Sequence, residues 1–135
     1  MIGKKDLERA MNYAQELAQD KRTKIYLSGP VTTYNNDEYA RQEFCNLQAK
    51  LQAEAPEDYL IVNPVDFNMT FEGLADMTWR DFMACDILVL NSCDWIYMME
   101  GWEISEGAIT EKNFAVNSGI RVINHLFSFN HHAPK

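Results

Sequence analysis

Residues 98–111 read MMEGWEISEGAITE and place four glutamates in fourteen positions, directly after a hydrophobic run. Carboxylates in such a cluster either lie in solvent or take part in chemistry. Glu103 and Glu106 fall at or before the first turn of a predicted helix, where the helix dipole favours negative charge and water has access. We therefore interpret these two as solvent-facing. The position of Glu100, just before Gly101, is undecided.

Glu111 differs because it shares a helix face with small residues at spacings of three and four: Gly107, Ala108 and Ala115. Small residues on a helix indicate close approach to another backbone, so this face is predicted to be buried against the sheet. Burying an unpaired carboxylate costs several kcal/mol, and Glu111 therefore needs either a compensating partner or a use. The pattern alone leaves both possibilities open.

Two further polar residues are candidates for chemistry. Asp86 interrupts the apolar stretch ACDILVL, and the pattern alone favours an ordinary position on the edge of a helix face. Tyr26 lies in a predicted strand two residues before the Ser28-Gly29 turn, where a packed core tyrosine is the usual interpretation.

The elements that would position these residues alternate between helix and strand. A first helix over 5–20 has apolar residues at helical spacing: Leu7, Met11, Tyr13, Ala14 and Leu17. A strand at 24–27 follows, and then a helix that is capped by Asn36 or Asp37 and reaches about 53. The next elements are a strand from 59 to Asn63-Pro64, a helix over 78–92 and a strand over 93–99. The last two are a helix over 106–118, capped by Ser105 and closed by Gly119, and a strand over 121–127.

Hydrophobic, mostly non-alternating strands separated by helices are typical of a parallel sheet covered on both faces. The predicted fold is α/β: a single-domain, Rossmann/flavodoxin-like parallel sheet of about four to five strands flanked by helices. An extra N-terminal helix (1–22) packs on the domain (23–127), and 128–135 form a tail. Ligands bind such sheets at the carboxyl ends of the strands, where strand order reverses. Three turns leave those ends: SGPVTT, NPVDF and EGWEISEG.

Composition excludes several classes of function. A net charge of -8 argues against binding a nucleic-acid polymer through a basic surface. No stretch approaches the roughly 20 apolar residues of a membrane span, and the start, MIGKKDLERA, is too polar for a signal peptide. We therefore expect a cytoplasmic protein without membrane contact.

Cysteine and histidine spacing does not indicate a metal site. Cys45, Cys85 and Cys93 lie in or beside apolar runs without ligand spacing, which predicts reduced, buried thiols. His125 and the pair at 131–132 are interpreted as solvated or packed.

Three segments together resemble the nucleoside 2-deoxyribosyltransferase-like superfamily, above all its small phage and bacterial members of uncharacterised function. They are YLSGP (26–30), the D-x7-D spacing from Asp86 to Asp94, and GWEISEGAITE (101–111), which is the most specific. The likeness covers about 23–125 and leaves the first helix outside. It implies enzymes that cleave the N-glycosidic bond of nucleosides or nucleoside 5′-monophosphates, without metal or cofactor.

The resemblance also implies roles for individual residues. Glu111 would attack or stabilise the anomeric carbon, Asp86 would assist, and Tyr26 would position the sugar or the glutamate. A carboxylate suits an oxocarbenium-like transition state, and a second carboxyl group can hold sugar hydroxyls or carry a proton to the departing base. The implied substrate-binding residues are Ser28, Gly29, Pro30, Trp102, Ser105 and Gly107.

Two departures from the family pattern weaken the expectation of a 5′-phosphate. Thr32 stands where the nucleotide hydrolases carry an arginine, and Glu100 stands where relatives often have proline. A non-catalytic nucleotide-binding module, such as a sensor or sequestering protein, is therefore the main alternative, and a purely structural partner protein is a third.

Because relatives often complete the site with a neighbouring subunit, we also predict a homodimer, with the first helix as a candidate contact.

Overall fold

The sheet has the predicted all-parallel arrangement. The computed structural model describes residues 2–32, 37–55 and 57–124. Within them four strands pair in the order β2-β1-β3-β4: β1 (Thr23–Ser28), β2 (Tyr59–Val62), β3 (Trp95–Met98) and β4 (Arg121–Ile123). The chain runs from β1 outward to β2 and then returns to the other side of β1, so strand order reverses between β1 and β3. The α/β prediction with four parallel strands is confirmed.

Helices flank this sheet on both faces. They are α1 (Lys4–Gln19), α2 (Glu38–Glu54), α3 (Pro64–Asn68), α4 (Trp79–Leu90) and α5 (Glu106–Asn117), with short 3-10 helices at Leu74–Asp76 and Trp102–Ile104. Asp37 and Ser105 cap α2 and α5 as predicted, by accepting hydrogen bonds from Ala40 N and Ala108 N. Gly119 follows α5 with φ +77, a conformation that favours glycine.

The two faces of the sheet bury different helices. Tyr26 and Ile96 point toward α4, α5 and the end of α1, in a cluster that also holds Val89, Leu90, Ala108 and Ala115. Ile25 and Ile61 point toward α2, where Phe44 and Leu51 cover them. Since both faces are covered, the strand edges near their carboxyl ends are left as the place for a ligand.

The first helix is rotated relative to its apolar pattern. Leu7 and Met11 are exposed, and the buried face consists of Ala10, Ala14 and Leu17 together with Asp6. This face packs on α4 and on a small cluster that includes Phe71 and Phe82. The helical pattern predicts that Leu7 and Met11 are buried, and this is wrong. The close contact between α1 and α4 is formed by Ala10 and Ala14 instead.

Other boundaries also differ from prediction. The segment NPVDF is predicted as a turn but contains helix α3, whose cap Asn63 accepts a hydrogen bond from Asp66 N and whose first turn begins with Pro64. Strand β3 begins at Trp95 rather than 93, since the Cys93 thiol still contacts Val89 O of α4 at 3.4 Å. The end of the last predicted strand (125–127), the tail (128–135) and the three histidines lie outside the described residues. Asn36, the alternative cap of α2, also lies outside them.

The three cysteines are free. Cys85 and Cys93 are buried as predicted, whereas Cys45 is only half-buried. Across the described ranges, no helix is both long and apolar enough to cross a membrane.

Candidate functional site

A cleft of about 450 Å³ opens at the point where strand order reverses. One wall follows β1 and consists of Pro30, Val31 and Thr32. The opposite wall follows β3 and runs from Ile104 to Gly107, at the start of α5. Met77, Trp79 and Phe82 complete the lining from the beginning of α4. The cleft therefore lies at the carboxyl edge of the sheet, between the first and third of the three turns that the sequence indicated.

Glu111 is buried, with 5% of its surface exposed, on the face of α5 that also buries Gly107, Ala108 and Ala115. Its carboxyl group accepts two hydrogen bonds from β1. Tyr26 Oη donates to Oε2 at 2.8 Å, and Ser28 Oγ donates to Oε1 at 2.6 Å. Tyr26 and Ser28 lie two residues apart on a strand and therefore point to the same face of the sheet, toward α5.

Asp86 lies beside Glu111 and is 3% exposed. The interpretation that it sits at the edge of a helix face is therefore wrong: α4 turns this residue toward α5 and the sheet. Asn68, at the end of α3, donates from Nδ2 to Asp86 Oδ1 at 3.0 Å. The other amide atom, Asn68 Oδ1, is buried without a hydrogen-bond partner among the described residues.

The two buried carboxyl groups change each other's protonation. Burial raises the pKa of Asp86 to about 7, and hydrogen bonds from Asn68 and Glu111 limit the rise. Burial, and then repulsion from Asp86, raises the pKa of Glu111 well above its usual value, against the opposing hydrogen bonds from Ser28 and Tyr26. The hydrogen bond between the carboxyl groups lowers the pKa of Asp86 and raises that of Glu111, as expected if Glu111 donates the shared proton. We therefore expect the pair to retain at least one proton at neutral pH.

The carboxyl pair lies one helical turn below the cleft. Gly107 lines the cleft and Glu111 follows it by four residues on α5; Phe82 lines the cleft and Asp86 follows it by four residues on α4. Four residues correspond to about 6 Å along a helix and to the same side of it. The pair therefore lies next to the cleft but is buried rather than part of its lining.

The six implied substrate-binding residues have different surroundings. Pro30, Ser105 and Gly107 line the cleft. Ser28 is buried and bonded to Glu111. A Cβ on Gly29 would stand 2.8 Å from Met99 Cβ, so this glycine permits close approach of the segments that follow β1 and β3. Trp102 lies outside the cleft lining, half-buried against the core, with Lys112 Nζ 5.1 Å from its ring centre.

The remaining acidic residues of the 98–111 segment are exposed, as predicted for Glu103 and Glu106. Glu100, which the sequence left undecided, is exposed too. Glu106 nevertheless lines the cleft. The described residues contain no group of three or more His, Cys, Asp or Glu side chains that could hold a metal ion.

Sequence reasoning missed three residues of the site. Trp79 and Phe82 belong to the first turn of α4 and line the cleft, and Asn68 binds Asp86. The Asn63-Pro64 start of α3 was a usable signal for that helix, because Asn caps helices and Pro favours their first turn. No local signal joins Asn68 to Asp86, since the contact depends on how α3 and α4 pack.

A family model described as "Domain of unknown function (DUF4406)" matches residues 23–124, from the start of β1 to just past β4. Searches of curated proteins and of solved structures found no match. The matched segment contains the cleft and the carboxyl pair and leaves α1 outside. Because the match spans well over half of the chain, the chain belongs to the DUF4406 family.

Proposed function

We propose that the protein cleaves the N-glycosidic bond of a nucleoside or nucleoside 5′-monophosphate, by hydrolysis or by transfer of the sugar. The observation that carries the proposal is the carboxyl group of Glu111, held by Tyr26 and Ser28 beside Asp86 and beneath a cleft at the carboxyl edge of the sheet. A buried carboxyl pair with raised pKa values next to a cleft is the usual arrangement of groups that handle charge and protons in a reaction.

In the first step the bond from C1′ to the base nitrogen breaks, and its electron pair stays with the base. The shared proton passes from Glu111 across the hydrogen bond to Asp86 and then to the base, which leaves neutral. Glu111, now a carboxylate, stabilises the positive charge at C1′ or forms an ester bond with it. Tyr26 and Ser28 hold the two oxygens of Glu111 in place during this change.

In the second step water or a second base attacks C1′, and the bond to Glu111 breaks. The proton released by the incoming group returns to the carboxyl pair, which restores the starting state. A sugar must reach Glu111 for either step. The lining near Gly107 and Phe82 must therefore open toward the pair when substrate binds.

The main alternative is a nucleotide-binding module without turnover. Its support is the burial of both carboxyl groups, which also fits a satisfied structural cluster. In that case Glu111 would stabilise the junction between α5 and β1, and the cleft alone would bind the ligand. Base release distinguishes the two functions.

We also propose that the protein forms a homodimer in which a second copy covers the mouth of the cleft. Ile104 is 89% exposed and Trp79 is 39% exposed, and both line the cleft. Large exposed apolar side chains beside a binding site are typical of a surface that a partner covers.

The test of function is incubation with a panel of ribo- and deoxynucleosides and their 5′-monophosphates, followed by chromatography for free base. We expect one or more members of the panel to release free base. The assay is run with and without a second base, which would accept the sugar if the reaction is transfer rather than hydrolysis. Ligand binding seen by calorimetry without base release from any compound would contradict the proposal and support the binding module.

A further inference from the structure

The backbone of the cleft wall after β1 is hydrogen-bonded to the carboxylate of Asp37, a neighbour of the lining rather than part of it. Asp37 Oδ2 accepts a hydrogen bond from Thr32 N at 2.6 Å, and Oδ1 accepts one from Ala40 N at 2.9 Å. Thr32 lines the cleft and Ala40 lies in the first turn of α2. Backbone N–H groups in a loop and at a helix N-terminus are the groups with which proteins bind phosphate. Here the protein's own carboxylate occupies them.

The cleft wall after β3 is similar. At the start of α5, Ser105 Oγ accepts from Ala108 N at 3.2 Å, and the acidic side chain of Glu106 lines the cleft in the first turn. The N-termini of α2 and α5 are therefore both capped by the protein's own side chains, and each has a carboxylate beside it: Asp37 at α2 and Glu106 at α5.

Among the described residues, no lysine or arginine lines the cleft to offset these charges. The sequence has none between Lys24 and Arg41, and Arg41 is engaged by Asp66 at 3.3 Å and Glu38 at 4.0 Å. A phosphate group in the cleft would therefore lie near the carboxylates of Asp37 and Glu106, with no lysine or arginine in the described part of the lining.

From this arrangement we propose that the cleft takes an uncharged nucleoside in preference to its 5′-monophosphate, and that Asp37 is a residue that sets this preference. The identity of the ligand rests on the proposed function. Trp79, Met77 and Phe82 supply an apolar surface for a base, and Thr32 and Ser105 supply hydroxyl groups for a neutral sugar. Repulsion by a neighbouring carboxylate disfavours a phosphate by about tenfold in affinity.

The test compares affinities by calorimetry for four 2′-deoxynucleosides and their 5′-monophosphates, in a Glu111→Gln background so that ligand is not consumed. We expect the best nucleoside to bind at least about tenfold more tightly than its monophosphate. Adding Asp37→Asn should narrow that ratio by about threefold to tenfold, because asparagine still caps α2 but carries no charge. Glu57→Gln is the matched control: it removes the same charge from an exposed turn before β2, at the opposite edge of the sheet, and should leave the ratio unchanged.

Each outcome decides between the two proposals. A monophosphate that binds as tightly as its nucleoside, or a ratio that Asp37→Asn does not narrow while the thermal melt shows intact fold, overturns the inference. Base release by the wild type mainly from monophosphates also overturns it, and leaves the proposed function standing. Preferential nucleoside binding without base release overturns the proposed function and supports the inference. Absence of binding by every compound contradicts both.

Discussion

At the scale of single residues, the central feature is a pair of carboxyl groups that are too buried to be both ionised. Glu111 has two hydroxyl donors from β1, and Asp86 has one amide donor from α3. These donors offset part of the cost of burial, and a shared proton offsets more. We therefore expect the site to hold a protonated carboxyl group beside a second carboxyl group that can ionise, although both are buried.

The pKa of Asp86 predicts how stability depends on pH. Its carboxyl group has a folded pKa of about 7 and an unfolded value near 3.8, so the folded state binds the proton more tightly. This contribution to stability is fully present below about pH 4 and is lost as pH rises through 7. The slope is at most about 1.4 kcal/mol per pH unit.

We therefore expect wild type to lose stability relative to Asp86→Asn between pH 4 and 7, measured by urea unfolding at several pH values. Glu103→Gln, which changes an exposed carboxylate, should follow the wild type across this range. Parallel curves for wild type and Asp86→Asn would show that Asp86 titrates normally and is not part of a proton-sharing pair.

At the scale of elements, the sequence predicted most of the architecture but little of the contacts between elements. The helix over 106–118 and its Ser105 cap were readable because the signals are local. The burial of Glu111 was readable because its neighbours at helical spacing are small. The burial of Asp86 could not be predicted from the sequence, since it depends on how α4 faces both α5 and α3. The rotation of α1 could not be predicted either, since alanines rather than larger residues form its contact with α4.

Helix α1 lies outside the family match, yet it is tied to the turn before the cleft. Asp6 is buried, and its two carboxylate oxygens accept hydrogen bonds from Glu72 N and Gly73 N at 2.8 Å each. This turn leads to Met77, which lines the cleft. The first helix therefore holds one border of the cleft from the side, without entering it.

We expect Asp6→Ala to lower the free energy of unfolding by about 1–3 kcal/mol, because two backbone N–H groups lose their partner. Hydrogen exchange should speed up at the amides of Glu72 and Gly73 in particular. Glu8→Ala, at an exposed position of the same helix, is the control and should change neither quantity much. Unchanged exchange at residues 72–73 in Asp6→Ala would mean that other contacts hold the turn.

At the scale of the whole molecule, the cleft lining includes one acidic side chain, Glu106, and two exposed apolar side chains, Ile104 and Trp79. We predict that wild type elutes and scatters light as a dimer at micromolar concentration. Ile104→Asp should shift it toward monomer without loss of thermal stability, because the side chain is almost fully exposed in a single copy. Val116→Asp, at another exposed apolar position, is the control for a general effect of added charge. A monomeric wild type would remove the dimer from the account.

The central claim is that Glu111, alone among the four glutamates of the 98–111 segment, carries the chemistry. The measurement that tests it most directly is the rate of free-base release by Glu111→Gln on the best nucleoside substrate, beside wild type and Glu103→Gln. We expect Glu111→Gln to release base at least about a thousandfold more slowly than wild type while its ligand affinity stays within a few fold, and Glu103→Gln to release base at a near-normal rate. Base release by a folded Glu111→Gln within tenfold of wild type would contradict it.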